Sequence, residues 1–407
     1  MAVEQRDSAP AQDVAIRPFR VDVPEDQIDD LKRRVAQTRW PTPENVSDET
    51  QGVRLATMQA VAQHWSTYDW RAFEAHLNSF PQFLTEIDGL DIHFIHVRSK
   101  HANALPILIT HGWPGSVVEQ RKVIGPLTDP TAYGGSASDA FDVVIPSLPG
   151  YGYSGKPTEP AKWVPSKIGQ AWAELMQRLG YSRYAAQGGD WGNAVTETMG
   201  LQRPAGLLAI SSNMSATVPP EISSALAAGS PPPADLLPDE QRAWDQLDFF
   251  YKKGLGYANE MALRPQTLYG LEDSPIGLAA WMIDHDAASQ ALIGRIFAGE
   301  QAGLTKTDIL DNVSFYWFSA TAISSARLYW DNSQVPAGGF FDARGVQLPM
   351  SVTVFPDEIY AAPERWARRA YPNLVFYKRH DVGGHFAAWE QPKLLAEDLR
   401  ESFRSFR

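Results

Sequence analysis

Three short segments of this 407-residue chain carry side chains suited to nucleophilic chemistry. The first, Gly188-Gly189-Asp190-Trp191-Gly192, sets an aspartate among glycines, after the short apolar run Tyr184 to Gln187 and before a helical pattern from Ala194. A sharp strand-to-helix turn brings backbone segments too close together for larger side chains, and glycine permits that approach. This is the pattern of a nucleophile elbow, with Asp where serine hydrolases carry Ser. A turn aspartate capping a helix would look the same locally, so the pattern needs partners. No Gly-x-Ser-x-Gly occurs and the chain has no cysteine, so neither a serine elbow nor a thiol competes.

The second segment, His111-Gly112-Trp113-Pro114-Gly115, follows the apolar run Leu105 to Thr110. In the architecture that uses such an elbow, the turn after the third strand supplies one oxyanion-hole amide and the residue after the nucleophile supplies the other. Those donors would be the backbone N–H groups of Trp113 and Trp191. The His111 side chain reads as a structural pin for its loop. The third segment, Gly383-Gly384-His385-Phe386, brings a histidine late in the chain, which fits the order nucleophile, acid, histidine. The acid must lie between them at a strand end. Val354-Phe355-Pro356-Asp357-Glu358 offers two carboxylates there, and the residues alone do not choose.

The elements that must position these groups read as follows. A helix starts at Pro24, with Glu25 and Asp26 in its first turn and Lys32, Arg33 and Arg34 toward its end, an order that complements the helix dipole. Ile28, Leu31 and Val35 form its apolar stripe, and Trp40-Pro41 should stop it. A second helical stretch covers roughly 52–80. Phe83 to Val97 alternates around Asp88-Gly89 and reads as a hairpin. Short apolar runs follow at Leu105 to Thr110, Phe141 to Ile145, Tyr184 to Gln187, Leu207 to Ile210, Ser351 to Phe355 and Leu374 to Tyr377, with helical stretches such as Ile168 to Leu179 between most of them. That alternation predicts an α/β fold with a mostly parallel central sheet flanked by helices. The stretch 219–336 shows no strong strand and opens on Pro231-Pro232-Pro233, which suggests a helical lid over the carboxyl edge of the sheet. The expected division is a disordered tail at 1–13, an N-terminal extension at 14–82, core at 83–218, lid at 219–336 and core again at 337–407.

A net charge of -12 makes nucleic acid and anionic membranes poor partners. The polar amino terminus has no signal-type apolar core, and no apolar run reaches the roughly 20 residues that span a bilayer. With no cysteine, a reducing cytoplasm suits the chain. The 13 Trp, 14 Tyr and 18 Phe would fill a core or line a pocket for an apolar ligand.

Together these segments resemble the epoxide hydrolases of microsomal and juvenile-hormone type over nearly the whole chain. The likeness rests on Ile16-Arg17-Pro18-Phe19, Arg39-Trp40-Pro41, His111 to Ser116, Pro149-Gly150-Tyr151-Gly152-Tyr153-Ser154, Gln187 to Gly192, Asp273-Ser274-Pro275-Ile276-Gly277-Leu278-Ala279-Ala280 and Gly383 to Ala388. The resemblance implies an α/β-hydrolase fold with Asp190 as nucleophile, His385 as general base and Glu358, rather than Asp357, as its acid partner. It also implies two lid tyrosines that bind the epoxide oxygen. Tyr329, in Ser325-Ala326-Arg327-Leu328-Tyr329, matches one. Tyr257 matches the other, with Tyr269 and Tyr316 as competitors. A cis Trp113-Pro114 bond is implied as well, and no metal or organic cofactor. The membrane-bound relatives carry an apolar amino-terminal anchor that this sequence lacks.

The expected substrate is therefore a small apolar or aromatic epoxide, opened to a vicinal diol through an ester on Asp190. Neutral His385, oriented by Glu358, would then activate the water that hydrolyses it. A haloalkane dehalogenase shares the Asp elbow but needs halide donors in place of paired tyrosines. A non-catalytic ligand receptor would have no need of all three of Asp190, Glu358 and His385. Detoxification and secondary metabolism both fit the sequence, as do a monomer and a homodimer.

Overall fold

A computed structural model of the chain describes residues 14–336 and 339–407, so the expected tail at 1–13 lies outside the described residues. Its centre is one sheet built from β1 (Arg17–Phe19), β2 (Gln82–Ile87), β3 (Leu90–Val97), β4 (Leu105–Thr110), β5 (Phe141–Pro146), β6 (Tyr184–Gly188), β7 (Leu207–Ser212), β8 (Met350–Val354) and β9 (Leu374–Arg379). The strand order is β1-β2-β3-β5-β4-β6-β7-β8-β9. The β1, β2, β3 end is antiparallel, and pairing is parallel from β5 through β4 to β9. In the middle of the sheet β4, β5 and β6 are almost wholly buried, as continuous apolar runs demand when helices cover both faces. Asp88 and Gly89 join β2 to β3 with φ of 52° and 80°. A two-residue hairpin turn of this kind needs positive φ at both positions.

The first helix runs Glu25–Ala36 behind Pro24 and buries Ile28, Leu31 and Val35, as the stripe predicts, although it ends short of Trp40. The stretch read as one helix over 52–80 is two, Leu55–Trp65 and Trp70–Leu77. The Asp69 carboxylate accepts from the Ala72 amide and starts the second. Strand β1 was not foreseen, since three residues are too few to show a period of two.

The insertion consists of successive helices from Pro220–Ala227 to Ala322–Ser333. Its two ends meet where Val218 bridges Asp342, so the helices leave and rejoin the core at one place. The long insertion helix Lys306–Ser319 is held from two sides. From the core, Arg121 on the helix Val117–Thr128 reaches Asp308 at 2.8 Å and Asp311 at 2.5 Å, and Lys122 reaches Asp308 at 2.9 Å. From the N-terminal helices, the Tyr68 hydroxyl donates to Asp311 and the Trp65 indole N–H to Ser314. The two carboxylates are buried, and Arg121 is the cation that pairs with both of them. Arg121→Met should therefore lower unfolding free energy by about 3–5 kcal/mol, the usual result of leaving buried charge unpaired. Urea unfolding measures it, and a loss under about 1 kcal/mol would show the pairing to be incidental.

Candidate active site

The residues singled out in the sequence converge at the carboxyl ends of the parallel strands: Trp113 follows β4, Asp190 follows β6, Glu358 follows β8 and His385 follows β9. This is where open α/β sheets place their ligands. Asp190 sits at φ 53° and ψ −131°, as the N-cap of the helix Trp191–Gln202. That geometry survives because its flanking glycines are jammed. A Cβ at Gly188 would lie 2.1 Å from the Gly192 carbonyl oxygen, and one at Gly192 would lie 2.0 Å from that of Thr110.

The Asp190 carboxylate is thereby aimed at the loop after β4. The Trp113 amide donates to its Oδ1 at 2.8 Å. Trp191, the first residue of the following helix, has an amide with no intrahelical acceptor, because the first turn of a helix leaves its donors free. The loop itself is pinned. His111 Nδ1 donates to the Gly112 carbonyl and Nε2 accepts from the Leu148 amide, and burial depresses this imidazole to about 4, so it is a neutral strut. From the insertion, Asn312 donates to the Pro114 carbonyl at 2.8 Å and the Tyr316 hydroxyl to the Gly115 carbonyl at 2.6 Å. The Trp113-Pro114 bond is cis, as the resemblance implies.

His385 Nδ1 lies 2.7 Å from Glu358 Oε1, and Nε2 lies 3.9 Å from Asp190 Oδ2, too far for a hydrogen bond and within the reach of a bridging water. Asp357 is exposed, so of the two candidate acids it is Glu358 that meets the imidazole. Burial alone would depress His385. The charges of Glu358, Asp190 and Asp286 outweigh it and push the group up to about 10. The imidazole thus holds its proton more tightly than a free histidine does.

The tyrosines sort themselves by position. Tyr257 opens the helix Gly256–Leu263, stacks on Trp113 at 5.0 Å and faces Tyr329 at 6.1 Å between ring centres. Tyr329 meets the Trp191 ring edge-on at 4.8 Å. Burial foremost, and behind it the Asp190 charge and, for Tyr329, the second phenol, hold both well above the ordinary phenol range. Both remain proton donors. Tyr269 is 67% exposed and Tyr316 spends its hydroxyl on Gly115, so neither competitor reaches the pair.

Comparison with known proteins bears on the family and the fold. Residues 16–120 match the family described as epoxide hydrolase N terminus, and residues 106–277 match the alpha/beta hydrolase fold. A Stigmatella aurantiaca protein provisionally named an epoxide hydrolase is 49% identical over 394 residues, 96% of this chain and 86% of the relative. Epoxide hydrolase 1 of Oryctolagus cuniculus is 34% identical, over 95% of this chain and 88% of its own length. The chain belongs to the epoxide hydrolases. Among solved structures, the juvenile hormone epoxide hydrolase of Bombyx mori superposes with a TM-score of 0.85 at 29% identity, covering 97% of this chain and 96% of that one. The Aspergillus niger epoxide hydrolase gives 0.80 at 31%, covering 97% of each. No helix among the described residues is long and apolar enough to cross a membrane.

Two groups of this epoxide hydrolase escaped the sequence reading. His285 is buried beside His385, with ring centres 4.5 Å apart, and its Nδ1 pairs with Asp286. Its Nε2 has no hydrogen-bond partner among the described residues. One oxygen of Asp190 and one nitrogen each of His285 and His385 lie within 4.8 Å of one another. A cation there would compete with the proton on His385. Glu119, buried in the first turn of its helix, is the other. Nothing in a single sequence marks either, because both are ordinary helix-flank residues until the chain folds.

Gly112 supplies a test of the alignment. A Cβ there would fall 2.1 Å from Asp190 Oδ1. Gly112→Ala should leave the circular dichroism spectrum unchanged while lowering kcat/KM about a hundredfold, the scale of a misplacement near 1 Å. An alanine variant with the original kcat/KM would show that the carboxylate position is not critical.

Proposed function

We propose that this epoxide hydrolase opens a small apolar or aromatic epoxide by forming a covalent ester on Asp190. The observation that carries the reading is one carboxylate with a backbone donor on Oδ1, a histidine 3.9 Å from Oδ2 and two buried phenols gathered at the tryptophans on either side of it. In the first step an Asp190 oxygen displaces the epoxide oxygen at carbon. The C–O bond to the ring oxygen breaks, and Tyr257 and Tyr329 donate to the developing alkoxide. One phenol passes its proton to that oxygen and is made good from His385, whose hold on a proton weakens once Asp190 is an uncharged ester. In the second step His385, now neutral and oriented by Glu358, takes a proton from water. The hydroxide adds to the Asp190 carbonyl carbon, and the amides of Trp113 and Trp191 hold the oxyanion. Collapse releases the diol. One proton of the water restores His385 and the other leaves on the second hydroxyl.

In this reading the helices of 219–336 act as a lid that carries the phenols. The aromatic walls favour apolar epoxides, and the cysteine-free chain suits the cytoplasm. His385→Gln should form the ester and fail to clear it, so intact mass spectrometry with a turned-over epoxide such as styrene oxide shows an adduct of substrate mass. Absence of that adduct sinks the covalent scheme.

The electrostatic part has its own test. In Asp190→Asn the side chain is uncharged, as in the ester. The His385 ring proton followed by NMR should titrate at lower pH in Asp190→Asn than in the parent enzyme, where the value lies at about 10. Equal values would mean that Asp190 does not govern the base.

A further inference from the structure

Ester hydrolysis needs a water on a face of Asp190 that the substrate does not fill. The phenols approach from the insertion, so the alkyl group of the ester occupies that side. On the core side lies a narrow cavity lined by Asp190, His385, Gly112, Glu119, Gln120, Asn213 and their neighbours, with no residue of the insertion in its wall. It has space for about one water molecule.

Two of its polar walls have no role in the chemistry so far. Glu119 is 7% exposed and Gln120 5%. The Gln120 amide donates to Glu119 Oε1 at 2.7 Å, and Gln120 Oε1, fully buried, has no partner among the described residues. A buried carbonyl left without a donor is costly, and a water in the cavity would satisfy it. The Glu119 side chain has a structural alternative that it does not take. Ser116-x-x-Glu119 has the spacing of a capping box, in which the glutamate would turn back to the Ser116 amide. Among the described residues no such bond forms; the carboxyl instead folds against Gly115, where a Cβ would lie 1.9 Å from Oε2.

We propose that this cavity holds the hydrolytic water and that Glu119 and Gln120 position it for attack on the Asp190 ester. The inference rests on the covalent reading above. The water gives one hydrogen to His385 Nε2 and directs the other at Gln120 Oε1 or the Glu119 carboxyl. Its lone pair is then left facing the Asp190 carbonyl carbon. The O–H bond to His385 breaks as the new C–O bond forms, and Glu119 and Gln120 exchange no proton. Burial pushes Glu119 up to about 8, against the pull of His385 and Gln120. At neutral pH it accepts through a carbonyl oxygen without adding a further negative charge beside Asp190 and Glu358.

Glu119→Met and Glu119→Gln, followed by stopped-flow tryptophan fluorescence and rapid-quench mass spectrometry on the full chain, separate the two steps. Ester formation should proceed at the parent rate in both. Hydrolysis in Glu119→Met should slow about tenfold or more, so that ester accumulates during turnover, and Glu119→Gln, which keeps an acceptor, should recover most of the loss. Unchanged hydrolysis in Glu119→Met, or equal slowing of both steps, overturns the proposal. If Glu119→Met does not fold, Gln120→Met tests the same water from its other partner, with a selective loss of hydrolysis expected and none refuting it. His385→Gln run alongside keeps the readings apart, because a missing ester there refutes the covalent scheme itself.

Discussion

Asp190 is held in a backbone conformation that an L-residue adopts only under constraint, at a cost of order 1–3 kcal/mol. The constraint is contact. Gly188, Gly192 and the Thr110 carbonyl press together so closely that no side chain larger than hydrogen fits between them. From that contact follow the direction of the helix Trp191–Gln202, the height of the carboxylate above the sheet and its meeting with the Trp113 amide. Glu358 and His385 can be set by two other strands because those strands are parallel to β6 and end at the same edge. A relaxed turn would keep every residue type and lose the site.

Around that carboxylate the protein concentrates negative charge on a single imidazole. Glu358, Asp190 and Asp286 together overcome the burial that would otherwise strip His385 of its proton. In the ester mechanism proposed above, converting Asp190 to an ester would remove one of the three charges and so let one group play two parts. The tyrosines are complementary: their burial beside Asp190 keeps them protonated, as the proposed donors must be.

Much of this was readable in the sequence where local chemistry is strict. The hairpin at Asp88-Gly89, the runs that became β4 to β9 and the glycines around Asp190 follow from steric rules that act within a few residues. Where the chain forms a contact only by folding, the sequence alone fell silent. The choice between Asp357 and Glu358 turned on which carboxylate the strand end turns inward. Tyr316 competes with Tyr257 in the sequence, and only the fold shows its hydroxyl committed to the Gly115 carbonyl. The break at Asp69 was missed because a capping side chain can overrule a continuous helical pattern. The charge that Asp286 adds beside His385 was unreadable for a similar reason: Asp286 comes from the insertion, far from it in sequence. His285 and Glu119 carry no mark at all outside the fold.

Asn312 and Tyr316 belong to the insertion, yet they hold the carbonyls of Pro114 and Gly115, next to the amide that meets Asp190. The covering helices are thus part of the frame that aligns the loop after β4. An attempt to change substrate range by grafting the insertion of another relative would alter that frame with it, unless the two carbonyl clasps were carried across. The helices proposed to choose the substrate and the loop that meets Asp190 are thus not separable modules.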